Sequence, residues 1–265
     1  MARTNTIFEG VATALITPMT EDGVNFGQFG RLIDWQIEEG VNALVIAGTT
    51  GEGSTLTDEE HKEVLAFSVK RANKRVPIIA GTGSNDTAYA IQLTKHACEV
   101  GCDAMLLVTP YYNKATQNGL IAHFTAVADA ATVPVILYNV PSRTGTNIQP
   151  ETYYELSKHK NIQGIKEANG DISSVAYTQS LCRGSLSIYS GNDDQTVAMI
   201  ALGGHGVISV LSNIAPREVS KISELALNGD FKGALDLQND WIRLMNDMFI
   251  DVNPIMVKEA MNIMG

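Results

Sequence analysis

Short apolar runs rich in β-formers and longer amphipathic stretches alternate eight times along this chain, and few architectures accommodate such an alternation. The strand candidates are Val11 to Thr17, Ala43 to Gly48, Val76 to Gly81, Ala104 to Thr109, Val133 to Asn139, Ile162 to Glu167, Leu186 to Ser190 and Gly206 to Val210. Helices fit between them. From Asn25 to Glu39, the side chains of Phe26, Phe29, Leu32, Ile33 and Ile37 fall on one face. Thr57-Asp58-Glu59-Glu60 is a capping box, Gly101 closes the helix that begins near Asp86, and Pro150 suits a first helical turn. Eight βα units in 265 residues, with no long charged linker, predict an α/β fold: a (β/α)8 barrel rather than an open doubly wound sheet. From about Ile214 the pattern becomes wholly helical, with Leu225, Phe231, Leu235, Trp241, Leu244 and Met248 supplying apolar faces. The expected organisation is therefore a barrel over residues 1–225 and a C-terminal helical appendage over 226–265.

A net charge of −10 argues against a nucleic-acid partner, because phosphate binding needs clustered Lys and Arg. An anionic ligand would need locally gathered positive charge instead. The longest apolar runs, Val197 to Leu202 and Ala104 to Val108, fall far short of a membrane span. Met1-Ala2-Arg3-Thr4-Asn5 lacks the apolar core of a signal peptide, so a cytoplasmic protein without a membrane partner is expected. Cys98, Cys102 and Cys182 are odd in number and lack a second pair to complete a metal site, which predicts free thiols. The five histidines are scattered without a ligand spacing, and no metal chemistry is expected.

In such a barrel the chemistry lies at the C-terminal ends of the strands. Lys166 ends the sixth run, following the uncharged Asn161-Ile162-Gln163-Gly164-Ile165 and preceding Glu167. The ordinary expectation for a lysine there is a tip that reaches solvent or pairs with Glu167. The alternative is a buried amine that gives up its proton, and a neutral amine adds to carbonyl carbon. After the second run comes Gly48-Thr49-Thr50-Gly51-Glu52-Gly53-Ser54, a turn that offers backbone N–H groups and two hydroxyls to an anion but lacks the lysine of a P-loop. Tyr111 and Tyr112 follow the fourth run, and Tyr138 and Arg143 mark the end of the fifth. Strand parity puts Tyr138 on the face of the fifth run that matches Lys166 on the sixth, with Gly164 leaving room for a bound molecule. Each feature alone has a structural explanation. Together they meet the needs of Schiff-base chemistry on a small keto acid: an amine to attack the ketone, tyrosine and threonine to move protons, and Arg143 to hold a carboxylate.

These same motifs resemble those of the dihydrodipicolinate synthase and N-acetylneuraminate lyase family of class I aldolases, over nearly the whole chain. The segments concerned are Gly48-Thr49-Thr50-Gly51-Glu52, Tyr138-Asn139-Val140-Pro141-Ser142-Arg143-Thr144, Gly164-Ile165-Lys166-Glu167, Ser190-Gly191-Asn192-Asp193-Asp194 and Gly206-Val207-Ile208-Ser209. The resemblance implies that Lys166 forms an imine with pyruvate, without a separate cofactor, and that Tyr138 transfers protons above it. It implies that Thr49 links Tyr138 to Tyr112 of a neighbouring subunit, and that Thr50 receives the pyruvate carboxylate beside Gly191 and Ile208. Arg143 would bind the carboxylate of aspartate semialdehyde, which points to the synthases and away from aldolases of N-acetylneuraminate or 2-keto-3-deoxy sugar acids. A barrel that binds keto acids without turnover is the most distant alternative. Assembly as a homotetramer, a dimer of dimers, is implied as well. Lysine-inhibited members carry other residues at the positions of Gly53, Asp58 and Tyr89, while His61, Asn85 and Tyr111 match, so weak or absent lysine feedback is expected. The family also continues with further helix beyond Gly265, so the appendage is expected to be a shortened one.

Overall fold

Eight parallel strands close on themselves: β1 (Gly10–Ala14), β2 (Ala43–Ile46), β3 (Ile78–Gly81), β4 (Ala104–Val108), β5 (Val135–Asn139), β6 (Ile162–Glu167), β7 (Ser187–Ser190) and β8 (Gly206–Ser209). Each strand pairs with its sequence neighbours, and β8 returns to β1 with Gly206 opposite Gly10 and Ser209 opposite Thr13. That closure excludes the open sheet. The computed structural model describes residues 6–265; residues 1–5, whose lack of an apolar leader core is a sequence reading, lie outside them. Helices alternate with the strands as α1 (Phe26–Glu38), α2 (Asp58–Ala72), α3 (Thr87–Glu99), α4 (Gln117–Ala130), α5 (Pro150–Leu156), α6 (Ile172–Cys182), α7 (Thr196–Ala201) and α8 (Pro216–Leu227).

Local chemistry sets the boundaries of these elements. Asn25 Oδ1 accepts the amide of Gln28 and starts α1. In α2, Thr57 Oγ1 accepts from Glu60 N at 3.2 Å while Glu60 Oε2 accepts from Thr57 N at 2.9 Å, the predicted capping box. Several strands stop earlier than their apolar runs. β2 ends at Ile46 because Ala47 turns to φ +53° to begin the Gly48–Ser54 turn. β1 ends at Ala14, and past Pro18 the chain makes a small hairpin, Met19–Thr20 against Gly23–Val24, that the hydrophobic pattern does not announce.

Strand residues alternate between two cores. Outward-facing Leu44, Ile46, Leu107, Leu137, Ile165 and Ile188 pack under the helices. Inward-facing Ala12, Val45, Leu106, Ile136, Tyr189 and Ile208 fill the barrel. Phe8 stacks on Tyr189 with ring centroids 4.1 Å apart, and Tyr189 donates to the Phe8 carbonyl, joining the segment before β1 to the barrel interior. After α8, the helices α9 (Phe231–Asp247) and α10 (Ile255–Met264) follow; α9 packs along α8, and α10 meets the turn Leu211–Asn213. Among the described residues no helix is long and apolar enough to cross a membrane. The three cysteines are free, and Cys102 and Cys182 are buried.

Candidate active site

The site is built at the ends of β5 and β6, where parallel pairing sets Tyr138 opposite Lys166 and Asn139 opposite Glu167. Parity then divides four polar residues between two environments. Lys166 and Tyr138 face the barrel mouth, and the lysine Nζ lies 4.3 Å from the centroid of the Tyr138 ring. Glu167 and Asn139 face outward. Asn139 Nδ2 donates to both Glu167 oxygens at 3.0 and 3.2 Å, Tyr153 OH donates to Oε2 at 2.9 Å, and the Asn169 amide donates to Oε1. The ordinary sequence expectation for Lys166, a solvent-reaching tip or a pair with Glu167, is thereby overturned. The lysine is only 5% exposed, and the glutamate serves the far side of the strand.

Burial dominates the titration of this group. It pulls the Lys166 amine down to about 7; the Asp193 carboxylate opposes the shift and the Arg143 guanidinium adds to it. Tyr138 is pushed up to about 12 by burial, with Arg143 and a hydrogen bond to the Thr49 side chain working against that rise. At neutral pH the pair is therefore an amine with a substantial free-base fraction beside a fully protonated phenol. A free amine and a proton donor coexist.

Asp193 lies in a segment that the resemblance includes but to which it gives no role, and the structure sets its carboxylate against the charge of Lys166. It follows Gly191-Asn192 after β7 and is buried, with Oδ2 accepting from the Val210 and Leu211 amides at 3.1 and 3.0 Å. Burial raises its pKa, while Ser209, those two amides and Lys166 pull the other way. Oδ1 has no hydrogen-bond partner, leaving an acceptor unused near the amine.

Thr50, Tyr138, Arg143, Lys166 and Gly191 line one cavity of about 500 Å³. Gly191 admits no side chain, since a Cβ would meet that of Ala168 at 2.7 Å, and its amide donates to the Glu167 carbonyl at 2.7 Å. The other candidates stand apart. Ile208 is fully buried among the inward-facing strand residues, and Val210 lines the cavity in its place. Gly164 does not make room for a ligand either: its missing Cβ would press on Ile136 and the Ser187 carbonyl at 3.3 Å, so it is a packing position. Tyr112 is 91% exposed with φ +69° and lines neither this cavity nor the one lined by Thr49. Thr49 lies on the other side of Tyr138. It lines a second cavity of about 310 Å³ with Gly53, His61, Tyr89 and Tyr111, while Tyr138, Val140 and Arg143 line both. In that second cavity Tyr89 OH donates to Asp58 at 3.1 Å, and His61 Nε2 lies 2.9 Å from the Gly81 carbonyl oxygen.

Known proteins bear the same stamp. The sequence model of the Dihydrodipicolinate synthetase family matches residues 7–265. A 4-hydroxy-tetrahydrodipicolinate synthase of Thermoanaerobacter sp. (strain X514) is 51% identical over 260 residues, covering 98% of this chain and 88% of that one. Its counterpart in Clostridium perfringens (strain SM101 / Type A) is 52% identical over 259 residues, covering 98% and 89%. Among solved structures, the chloride-inhibited dihydrodipicolinate synthase of Acinetobacter baumannii complexed with pyruvate superposes with a TM-score of 0.96 at 46% identity, covering 98% and 89%. On the barrel, the motifs at its mouth and these matches, the chain belongs to the dihydrodipicolinate synthetase family.

Proposed function

We propose that this chain is a lyase that condenses pyruvate with L-aspartate 4-semialdehyde through an imine on Lys166, giving 4-hydroxy-tetrahydrodipicolinate on the route to diaminopimelate and lysine. The observation that carries the chemistry is the buried Lys166 amine, drawn down to about 7 beneath the Tyr138 ring. Its free base attacks the pyruvate ketone, and the carbinolamine loses water. Tyr138, still protonated at neutral pH, gives the departing hydroxyl its proton. The protonated imine withdraws electrons from the methyl carbon, which loses a proton to become the enamine. No separate cofactor is called for, because the imine is itself the electron sink. The enamine carbon then adds to the aldehyde, and the semialdehyde nitrogen closes the ring with return of the free amine.

Thr50 receives the pyruvate carboxylate in this scheme, with Gly191 lining the pocket beside it and Ile208 supporting the floor from within the barrel. Arg143, which lines both cavities, binds the second substrate's carboxylate in bidentate fashion in the same scheme. Thr49 joins Tyr138 to a proton relay completed by Tyr112 of a second subunit; the exposure of Tyr112 in the single chain supports that role. The enzyme would then work as a homotetramer in the cytoplasm. Feedback by lysine would be weak, because Tyr89 and Asp58 bond to each other beside the second cavity.

Borohydride reduction in the presence of pyruvate, followed by peptide mass analysis, tests the central step. A reduced adduct on Lys166, lost in Lys166→Ala, is expected; folded protein with no adduct would sink the aldolase chemistry. Turnover with aspartate semialdehyde but not with N-acetylmannosamine separates the synthase from a sugar-acid aldolase. A lysine titration of the same assay addresses feedback, and strong inhibition below about 1 mM, a site of roughly 4 kcal/mol or better, would contradict it.

A further inference from the structure

Between α9 and α10 the chain comes back over the barrel mouth, so that residues 249–253 line the same cavity as Lys166. Two contacts fasten this region to the turn after β2. Lys258 is ion-paired with Glu52, and Asn253 Nδ2 donates to Thr50 Oγ1 at 2.9 Å. Asn253 is only 6% exposed, and its Oδ1 is buried without a hydrogen-bond partner.

The direction of the Asn253 bond has a chemical consequence. A threonine hydroxyl has one proton to donate and lone pairs to accept with. Because Asn253 occupies an acceptor position, the Thr50 proton is left to point elsewhere, and Thr50 lines the cavity with Lys166. A keto-acid carboxylate is an acceptor only, so it gains from a hydroxyl that presents its proton and is repelled by one that presents lone pairs. We propose that Asn253 is a positioning residue: it holds the Thr50 hydroxyl as a donor toward the carboxylate of a keto acid bound as an imine on Lys166. The inference rests on the Schiff-base reading above and extends it to the C-terminal helical region.

The test is the pyruvate concentration that half-saturates borohydride trapping on Lys166. It is measured for the wild type, Asn253→Ala, Asn253→Asp, Thr50→Val and the Asn253→Ala/Thr50→Val double variant, each checked for folding by circular dichroism. Loss of one hydrogen bond to a carboxylate should raise half-saturation about tenfold in Asn253→Ala and in Thr50→Val. The double variant should be no worse than the weaker-binding single one. Asn253→Asp should be worse than Asn253→Ala, because an aspartate accepts the Thr50 proton and turns lone pairs toward the substrate. A purely structural role predicts the reverse order, since aspartate replaces asparagine almost without change of shape. An Asp variant that binds as well as the Ala variant, or two single effects that simply add, overturns the proposal. Should the Asp variant not fold, the additivity of the other three decides. Wild-type protein that yields no adduct on Lys166 overturns the Schiff-base reading itself, an outcome distinct from trapping that is insensitive to position 253.

Discussion

At the level of single residues, the acid–base behaviour follows from where burial has been imposed. In the proposed chemistry Lys166 must lose its proton before it attacks, so the rate of imine formation should climb with pH through a midpoint near 7 and level off above it. Stopped-flow measurement of pyruvate imine formation from pH 5.5 to 9 checks this; a midpoint near the ordinary lysine value of 10.5 would contradict it. The Asp193 carboxylate favours the ammonium form, so Asp193→Asn should move that midpoint downward. An upward move would show that the two groups do not interact as described. Tyr138→Phe should lower kcat by about 10²–10⁴-fold, the usual range for a lost general acid, with smaller change in pyruvate binding. Much of this was legible in the sequence, because alternation along two neighbouring strands is enough to set Tyr138 beside Lys166. Asp193 was not, since Asn192 and Asp194 flank it with other polar side chains and nothing local shows that its carboxylate turns inward to the Val210 and Leu211 amides.

At the level of elements, the outer face of β6 matters as much as the inner one. Glu167 ties β6 to β5 through Asn139 and to α5 through Tyr153, and burial raises its pKa from 4.5 to about 7. Between those values the folded chain binds the extra proton, so this group's contribution to stability is complete below pH 4.5 and declines as pH rises to 7. At 1.36 kcal/mol per unit, the decline is of order 3 kcal/mol. Urea denaturation of wild type and Glu167→Gln at pH 5 and pH 7.5 should show the variant free of that decline; parallel behaviour of the two proteins would refute it. Which elements exist was legible from periodicity and from end signals such as the Thr57–Glu60 box. Where the strands stop was less so, because apolar residues continue past the last strand residue, as with Leu15 and Ile16 after β1. The Met19–Val24 hairpin carries no apolar alternation at all, and its strands are exposed or half-buried.

At the level of the whole molecule, counting βα units was enough to anticipate closure, whereas the segment over the mouth was not. Phe249-Ile250-Asp251-Val252-Asn253 has neither helical nor strand spacing, and its proximity to Lys166 depends on the packing of α9 and α10 on the barrel. The exposed Tyr112 gives assembly a measurable signature. If it completes the site of an adjacent subunit, Tyr112→Phe and Lys166→Ala proteins are each impaired alone, but unfolded and refolded together they regain about a quarter of wild-type activity. Half of the randomly formed pairs are mixed, and each mixed pair holds one intact site. Activity no greater than the sum of the parent proteins would place the relay within one chain.

The back-to-back placement of Lys166 and Glu167 bears on misfolding and on engineering alike. A slip of β6 by a single residue would send the carboxylate into the mouth and the amine under the helices, stranding Asn139 and Tyr153 without their acceptor. The wrong alignment would therefore be penalised on both faces at once, which makes the nucleophile's address self-proofreading. Transplanting Lys166 and Tyr138 onto a foreign barrel would copy the reagent but omit the lock, and Glu167, Asn139 and Tyr153 belong in the graft.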